Sequence, residues 1–187
     1  MNFDLLLKGG HLIDPKNSID VLQDVAITDG KVAAVDADIP AQQAKKVVDM
    51  TGLYVMPGLV DIHTHMFASS GIRNSWAGDK SILPDGFSFR SGVTTMVDTG
   101  SAGWRFFEDF RYRVIDRFDT RKFAFLNIVG AGMVGTELEQ NTSDMDVDRA
   151  VAMGKEHGDV IVGMKTAHFG GTEWISVDRM LEAGRQL

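Results

Sequence analysis

Short apolar stretches alternate with turn-forming residues over residues 1–56, and this pattern is typical of a small β layer. The segment "FDLLLKGGHLID" predicts two strands on either side of a turn at Gly9–Gly10. The segment "QDVAITDGKVAAVD" predicts a hairpin around Asp29–Gly30, because this dipeptide suits a two-residue hairpin turn. A further strand in "KKVVDMTGLYVMPG" ends at Pro57–Gly58, and the whole region predicts no helix of its own.

The pattern changes at Leu59, from which strands and helices alternate. Four apolar runs, "LVDIH", "VTTMVD", "KFAFLNIVG" and "VIVGMK", are each followed by a loop and then by helical spacing. Apolar residues recur every three or four positions over residues 103–118, which predicts the clearest helix. A second helix is predicted to start from an N-cap at Ser143 or Asp144, and a third lies in "SVDRMLEAGRQL". Within the long first connection, only "SILPDGFSFRSG" can hold a short helix.

Strands that alternate with helices predict a parallel sheet covered by helices. About four such βα units fit into residues 57–187, whereas a complete (β/α)8 barrel needs roughly 250 residues. The sequence therefore predicts the α/β class. We expect half of a TIM barrel, or a short open sheet, preceded by the β segment of residues 1–56.

Composition narrows the class of protein. The chain has 187 residues, 44% of them hydrophobic, with a formal net charge of −7 and a pI near 5.1. An acidic chain with scattered basic residues is not expected to bind nucleic acid or a membrane surface. The absence of cysteine excludes disulfides and thiolate metal sites. The N-terminus lacks the apolar run of a signal peptide and no segment can span a bilayer, so we expect a soluble, cytoplasmic protein.

Two of the five histidines, His63 and His65, stand one residue apart at the end of a predicted strand. Side chains two positions apart on a strand share a face, so both imidazoles point the same way, with Asp61 one step deeper. Two imidazoles can bind one cation there, and the carboxyl end of a parallel strand is where such folds bind ligands. The alternative is that the two side chains cap the strand and hydrogen-bond to loops.

Lys165 ends the fourth apolar run, in "DVIVGMKTAHFGG". A lysine in this position commonly reaches solvent along its aliphatic stem. If it points toward a cation instead, it has to lose its proton, and the free amine can react with CO2. The resulting carbamate is an oxygen ligand that can bridge two metal ions.

Three further residues are candidates for contact with a substrate. His168 follows Lys165 in a loop at the same rim, where it is a metal ligand, a substrate donor or an ordinary loop residue. Asp98 ends the second apolar run, where it either contacts the substrate or the metal ligands, or caps the "TGSAG" turn. Asn127 lies in the third run, where a polar side chain that points into a barrel needs a partner.

Several motifs together carry a family resemblance. "PGLVDIHTHMF", "SGVTTMVDTGSAG" and "VGMK" resemble the amidohydrolase superfamily of metal-dependent hydrolases, and more narrowly its dihydroorotase-related amidohydrolase/deacetylase branch. The leader "FDLLLKGGHLIDPKN" is similar to that superfamily's N-terminal β segment, which pairs with strands from the C-terminal end. The resemblance implies that residues 1–56 belong to a composite β-sandwich and that residues 57–187 form the first half of a hydrolase barrel.

The resemblance also implies a site and a reaction. His63 and His65 would bind a first divalent metal ion, with zinc as the expected metal, and a carboxylated Lys165 would bridge to a second. The implied reaction is hydrolysis of an amide-type bond, an N-acyl group or a cyclic amide, of a small molecule by a metal-activated hydroxide. The family completes the site with two later histidines and an aspartate that serves as general base, and the chain ends before them. We therefore expect an inactive fragment that lacks a C-terminal half.

Two other interpretations stay open from the sequence. One is a non-catalytic half-barrel that forms a homo-oligomer or binds a partner, because four βα units leave open sheet edges and an uncovered apolar interior. The other is a nucleobase-type deaminase. Lys165 counts against it, since the mononuclear deaminase branches lack that bridging lysine.

Overall fold

The computed structural model describes residues 2–69, 73–135 and 137–187. The chain divides into two compact units, Met1–Pro57 and Gly58–Leu187. The first unit is a five-stranded sheet, and the second contains a separate four-stranded sheet with helices. That the first unit forms part of a composite β-sandwich stays a prediction.

The sheet of the first unit is built around one long strand. Its strands are β1 (Phe3–Asp14), β2 (Ile19–Thr28), β3 (Lys31–Asp36), β4 (Ala44–Asp49) and β5 (Tyr54–Val55), with 3-10 turns at Pro15–Asn17 and Ala41–Gln43. Strand β1 pairs antiparallel with β2 and parallel with β4 and β5, while β3 continues the sheet beside β2. The hairpin predicted at Asp29–Gly30 is confirmed, because both residues take the positive φ of a type I′ turn, 52° and 70°.

The turn predicted at Gly9–Gly10 is wrong. Strand β1 runs through it with a β-bulge between Leu7 and Gly10. Gly9 has a φ of +75°, and its N–H donates to the buried carboxylate of Asp24 at 2.7 Å. A Cβ on Gly10 would lie 2.6 Å from the Val55 side chain, so this glycine lets β5 approach β1. The two glycines therefore bend a strand without ending it.

The second unit alternates strands and helices. Its strands are β6 (Leu59–Thr64), β7 (Val93–Gly103), β8 (Arg121–Asn127) and β9 (Ile161–Lys165). Its α-helices are α1 (Pro84–Ser88), α2 (Phe107–Phe110), α3 (Val147–Glu156) and α4 (Ile175–Arg185), with 3-10 turns at Phe89–Ser91, Leu138–Gln140 and Thr142–Asp144 and a π-helical stretch at Arg111–Ile115. The strands are parallel and lie in the order β6-β7-β8-β9. This topology confirms the predicted α/β class and the four βα units of a partial barrel.

The helix predicted over residues 103–118 is shorter than its apolar pattern. Strand β7 continues to Gly103, and a turn follows in which the Phe106 N–H donates to the Gly103 carbonyl. The helix therefore begins at Phe107. Its core-facing residues are placed as predicted, since Phe107 and Phe110 are fully buried and their rings meet edge to face at 5.8 Å.

The predicted N-caps of α3, Ser143 and Asp144, are also wrong. The cap is Asp146, whose carboxylate accepts a hydrogen bond from the Arg149 N–H at 3.1 Å. Asp144 is buried instead, where its carboxylate pairs with the Arg105 guanidinium. A carboxylate engaged in a long-range ion pair is not available to cap the helix. None of the helices in the described ranges is long and apolar enough to cross a membrane.

We expect the substitution Gly103→Ala to destabilise the second unit, which should then unfold at a lower denaturant concentration than in the unsubstituted protein. A Cβ there would lie 1.8 Å from the Val129 carbonyl oxygen, which is main chain and cannot rotate away. The free energy of unfolding should fall by about 3 kcal/mol, measured by urea titration. The matched control is Gly86→Ala in α1, where a Cβ meets no atom within 4 Å and alanine favours the helix. Similar losses in both variants would contradict the close approach at the end of β7.

Candidate metal centre

The two histidines of the His-x-His motif lie at the carboxyl end of β6. Their ring centroids are 5.7 Å apart and the rings are nearly perpendicular. His63 is exposed and His65 is half-buried. Both line one cleft of about 340 Å³, together with Lys165 and His168. The structure thus brings the three proposed metal ligands and one proposed substrate contact to the same opening.

His65 is held by hydroxyl groups on both sides of its ring. Its Nδ1 lies 3.0 Å from the Ser101 hydroxyl, and its Nε2 lies 3.4 Å from the Thr99 hydroxyl. Burial, and next the charges of His63 and Lys165, lowers the pKa of His65 to about 4. The imidazole is therefore neutral at pH 7, which is the form that binds a metal ion.

Asp98 is fully buried one strand away and accepts hydrogen bonds from main-chain groups of two segments. Its two oxygens accept hydrogen bonds from the N–H groups of Met66 and Ser101, each at 2.7 Å. It therefore caps the turn after β7, as one of its two interpretations predicted. It also ties that turn to the residue after His65. These contacts favour a positioning role over direct contact with a substrate.

Asn127 is likewise fully buried at the end of β8. Its amide nitrogen donates to the Gly100 carbonyl at 3.1 Å, and its amide oxygen accepts from the Val129 N–H at 3.0 Å. Both polar ends of the side chain are thus used by main-chain groups. The contacts favour a role in fixing the ends of β7 and β8.

Lys165 is the last residue of β9, and its stem crosses the end of β7. A Cβ on Gly100 would lie 2.6 Å from the Lys165 Cγ, so only a residue without a side chain leaves room for this path. Gly100 also has a φ of +84°, which favours glycine. Within residues 2–69, 73–135 and 137–187, the Lys165 amine has no hydrogen bond or ion pair. The amine is therefore free to meet a ligand in the cleft.

His168 has a partner that the sequence analysis missed. Its Nδ1 lies 3.0 Å from a carboxylate oxygen of Glu139, and Glu139 is 2% exposed. Burial raises the pKa of Glu139, while the positive charge of His168 opposes that shift. The sequence around Glu139, "GTELEQN", has the polar character of a solvated loop, so no local signal indicates a buried carboxylate.

A second group of potential metal ligands lies outside this cleft. Among the described residues, only Glu108, Glu156 and His157 bring three histidine or carboxylate ligand atoms within 4.8 Å of one another. The Nδ1 of His157, however, faces the guanidinium of Arg111 at 3.1 Å. Because that lone pair accepts from a cation, the group does not suit a metal ion. In the part of the chain that the structure describes, His63, His65 and His168 do not bring three ligand atoms this close together, and the third proposed ligand of the cleft is Lys165.

The fold defines the class of protein as a partial (β/α)8 barrel, and comparisons with known proteins narrow it. No family model matches the chain. The chain is 37% identical over 143 residues to a deacetylase of Agrobacterium fabrum. The matched region covers 73% of this chain and 33% of that protein. It matches a solved adenine deaminase with a TM-score of 0.81 and 25% identity, over 98% of this chain and 48% of that one. It matches a solved dihydroorotase with a TM-score of 0.79 and 28% identity, over 97% and 48%.

These similarities confirm the predicted resemblance to the amidohydrolase superfamily and its dihydroorotase-related branch. The chain spans about a third of the length of the deacetylase and about half of each solved structure. Such partial coverage agrees with a barrel of four βα units.

We expect Asp98→Asn to destabilise the second unit by about 2 kcal/mol at pH 7. Each carboxylate oxygen accepts from a different N–H, so an amide group placed either way sets its NH2 against a donor. The measurement is urea unfolding. The control is Asp61→Asn, because Asp61 is exposed and accepts one bond, from the His63 N–H at 3.0 Å, which asparagine can keep. Equal changes in the two variants would contradict the positioning role of Asp98.

The pH dependence of that difference tests the state of the buried carboxyl group. Burial raises the pKa of Asp98 from 3.8 to about 6 in spite of its hydrogen bonds. A raised pKa contributes stability that is complete below about pH 4 and is lost as the pH rises through about 6. The cost of Asp98→Asn should therefore shrink between pH 4 and pH 7. A cost that grows over this range would show that the N–H bonds outweigh burial.

Proposed function

We propose that this chain forms the metal-binding part of a metal-dependent hydrolase of amide-type C–N bonds, either N-acyl groups or cyclic amides, in small molecules. The observation that carries the proposal is the shared cleft of His63, His65 and Lys165 at the carboxyl ends of parallel strands. The 37% identity to a deacetylase supports it.

The donor set of the cleft suits a divalent cation. His65 offers a neutral imidazole, His63 an exposed one, and Lys165 an amine that becomes an anionic oxygen ligand if it is carboxylated. Imidazole nitrogen and carboxylate-like oxygen are ligands that zinc accepts, so we propose zinc, with one or two ions in the complete site. When bound, such an ion supplies a water of lowered pKa and polarises a carbonyl group.

The remaining residues of the cleft would support these ligands. Ser101 orients the His65 ring, Asp98 fixes both the Ser101 turn and the end of β6, and Gly100 leaves the path for Lys165. His168 stands at the rim, where we propose that it contacts the substrate. The general base implied by the resemblance belongs to a part of the barrel beyond these four units. We therefore expect hydrolysis to need that part.

A deaminase is the second candidate, because the adenine deaminase has a TM-score of 0.81 with this chain. Both candidates hydrolyse a C–N bond, and they differ in the leaving group. The sequence similarity to a deacetylase and the placement of Lys165 in the cleft favour the amide substrate.

The edge strands of the second unit support a further proposal about partners. Apolar side chains on these strands are 52–68% exposed: Val60 and Ile62 on β6 and Val162 on β9. We propose that another half-barrel covers them, either the remaining βα units or a second copy of the chain.

We expect the chain to bind zinc weakly. At most one zinc ion per chain should remain after dialysis, as measured by elemental analysis. Three ligands hold a cation less tightly than a complete site does. His63→Asn, His65→Asn and Lys165→Met should each reduce the bound zinc further. The control is His11→Asn, since His11 lies in the first unit on β1. Two tightly held ions per chain, or unchanged zinc in all three variants, would contradict this account of the site.

We expect Gly100→Ala to weaken zinc binding about tenfold by pushing the Lys165 stem off its path. The control is Gly92→Ala, because Gly92 has a similar φ of +75° but a Cβ there meets no atom within 4 Å. Both variants should lose about 1 kcal/mol of stability from backbone strain. Zinc titration should separate them, and an equal zinc affinity would show that Lys165 does not contribute to the metal.

A further inference from the structure

We propose that Glu139 and His168 form a paired hydrogen-bond donor that binds a carboxylate group of the substrate. The inference rests on the proposed function, because it names the kind of amide that the cleft would take. Glu139 is the positioning residue of the pair, and His168 is the residue that would touch the ligand.

The pair is unusual because one partner is buried and the other is not. Glu139 is 2% exposed in the 3-10 turn Leu138–Gln140 after β8, whereas the side chain of His168 is 51% exposed after β9. The Glu139 oxygen meets Nδ1 at 3.0 Å, so Nε2 lies on the opposite edge of the ring. Within the described ranges, Nε2 has no hydrogen-bond partner. One edge of the imidazole is thus anchored in the protein and the other is open.

The main chain of His168 is strained, and the side chain of Gln140, the residue after Glu139, holds it in place. His168 has a φ of +55°, a left-handed conformation that is unfavourable for a residue other than glycine. The Gln140 amide donates to the His168 carbonyl at 2.8 Å and accepts from the Gly170 N–H at 2.7 Å. Adjacent residues, Glu139 and Gln140, therefore fix the ring and the backbone of the same histidine. Strain that is held in this way at a rim is typical of a functional position.

The burial of Glu139 determines whether the exposed ring nitrogen of His168, Nε2, carries a hydrogen. A buried carboxylate beside a neutral imidazole would be an uncompensated charge, which is costly. Sharing one additional proton removes that cost, either as carboxylate with imidazolium or as carboxylic acid with neutral imidazole. In both arrangements Nε2 carries a hydrogen, because Nδ1 faces Glu139. The open edge of His168 is therefore a donor, which suits an oxygen ligand.

The surroundings favour a carboxylate over a neutral carbonyl. His168 lines the cleft that contains Lys165, and it also lines an adjoining cleft of about 200 Å³ with Trp76 and Met133. Lys80 lies over the Trp76 ring at 5.0 Å. The Trp76 side of these clefts thus carries the cationic Lys80 together with an exposed indole, and Met133 adds a thioether. An N-acyl compound that carries a carboxylate and an apolar group fits this combination.

The test is NMR of the 187-residue chain with 15N-labelled histidine, at pH 7 and with a chelator present. We expect the His168 proton on Nε2, and a saturable shift of this nitrogen when acetate is added at constant ionic strength. Glu139→Gln should remove the shared proton, because an amide carries no negative charge to hold it, whichever of its two ends faces Nδ1. Acetate binding should then weaken at least about tenfold, or about 1.4 kcal/mol.

Two matched variants complete the experiment. Glu137→Gln removes the same charge two residues away at an exposed position and should change neither the proton nor the acetate affinity. Trp76 lines both clefts with His168, so acetate should also shift its indole N–H in the proton spectrum. His168→Asn keeps a residue that tolerates the left-handed backbone and should abolish that shift. An unprotonated Nε2, a missing acetate shift or unchanged binding in Glu139→Gln would each overturn the inference. Because no metal is present, acetate binding without zinc binding would reject the metal proposal alone.

Discussion

The buried carboxylate of Asp98 is the interaction on which the candidate site depends. The pairing of β6 with β7 is irregular between Asp61 and Thr64, so the ladder alone does not fix the end of β6. Asp98 holds the chain just beyond this strand by accepting from the Met66 N–H. The same carboxylate accepts from the N–H of Ser101, whose hydroxyl meets His65. One charge therefore sets the backbone on both sides of an imidazole, at the expense of burying a carboxyl group whose pKa is raised.

Close main-chain contacts made by glycine build the rest of the rim. A Cβ at Gly103 would strike the Val129 carbonyl, and a Cβ at Gly132 would lie 2.3 Å from the Ser101 carbonyl. Because Gly100 has no side chain, it leaves room for the Lys165 stem, which passes from β9 across the end of β7. The main chains that follow β7 and β8 thus lie in direct contact with each other. This allows side chains from β6 and β9, which do not pair with each other, to open into one cleft.

Patterns that depend on neighbours along the chain predicted most of the fold. The four strands of the second unit follow from their apolar runs, and the Asp29–Gly30 hairpin follows from its turn chemistry. Interactions between distant residues caused the errors. Gly9 looked like a turn because the sequence does not show that Asp24 accepts its N–H within a bulge. Asp144 looked like a helix cap because its ion pair with Arg105 is not visible in the sequence.

The same distinction holds for the site. The positions of His63, His65 and Lys165 followed from strand ends, whereas the buried partner of His168 did not, because Glu139 lies 29 residues before it in a polar loop. The most direct test of the central claim is anomalous diffraction at the zinc edge from crystals of the chain soaked in zinc. We predict a peak within ligand distance of the His63 and His65 rings, with density from Lys165 reaching toward it. Zinc bound elsewhere, with these side chains turned away from one another, would contradict it.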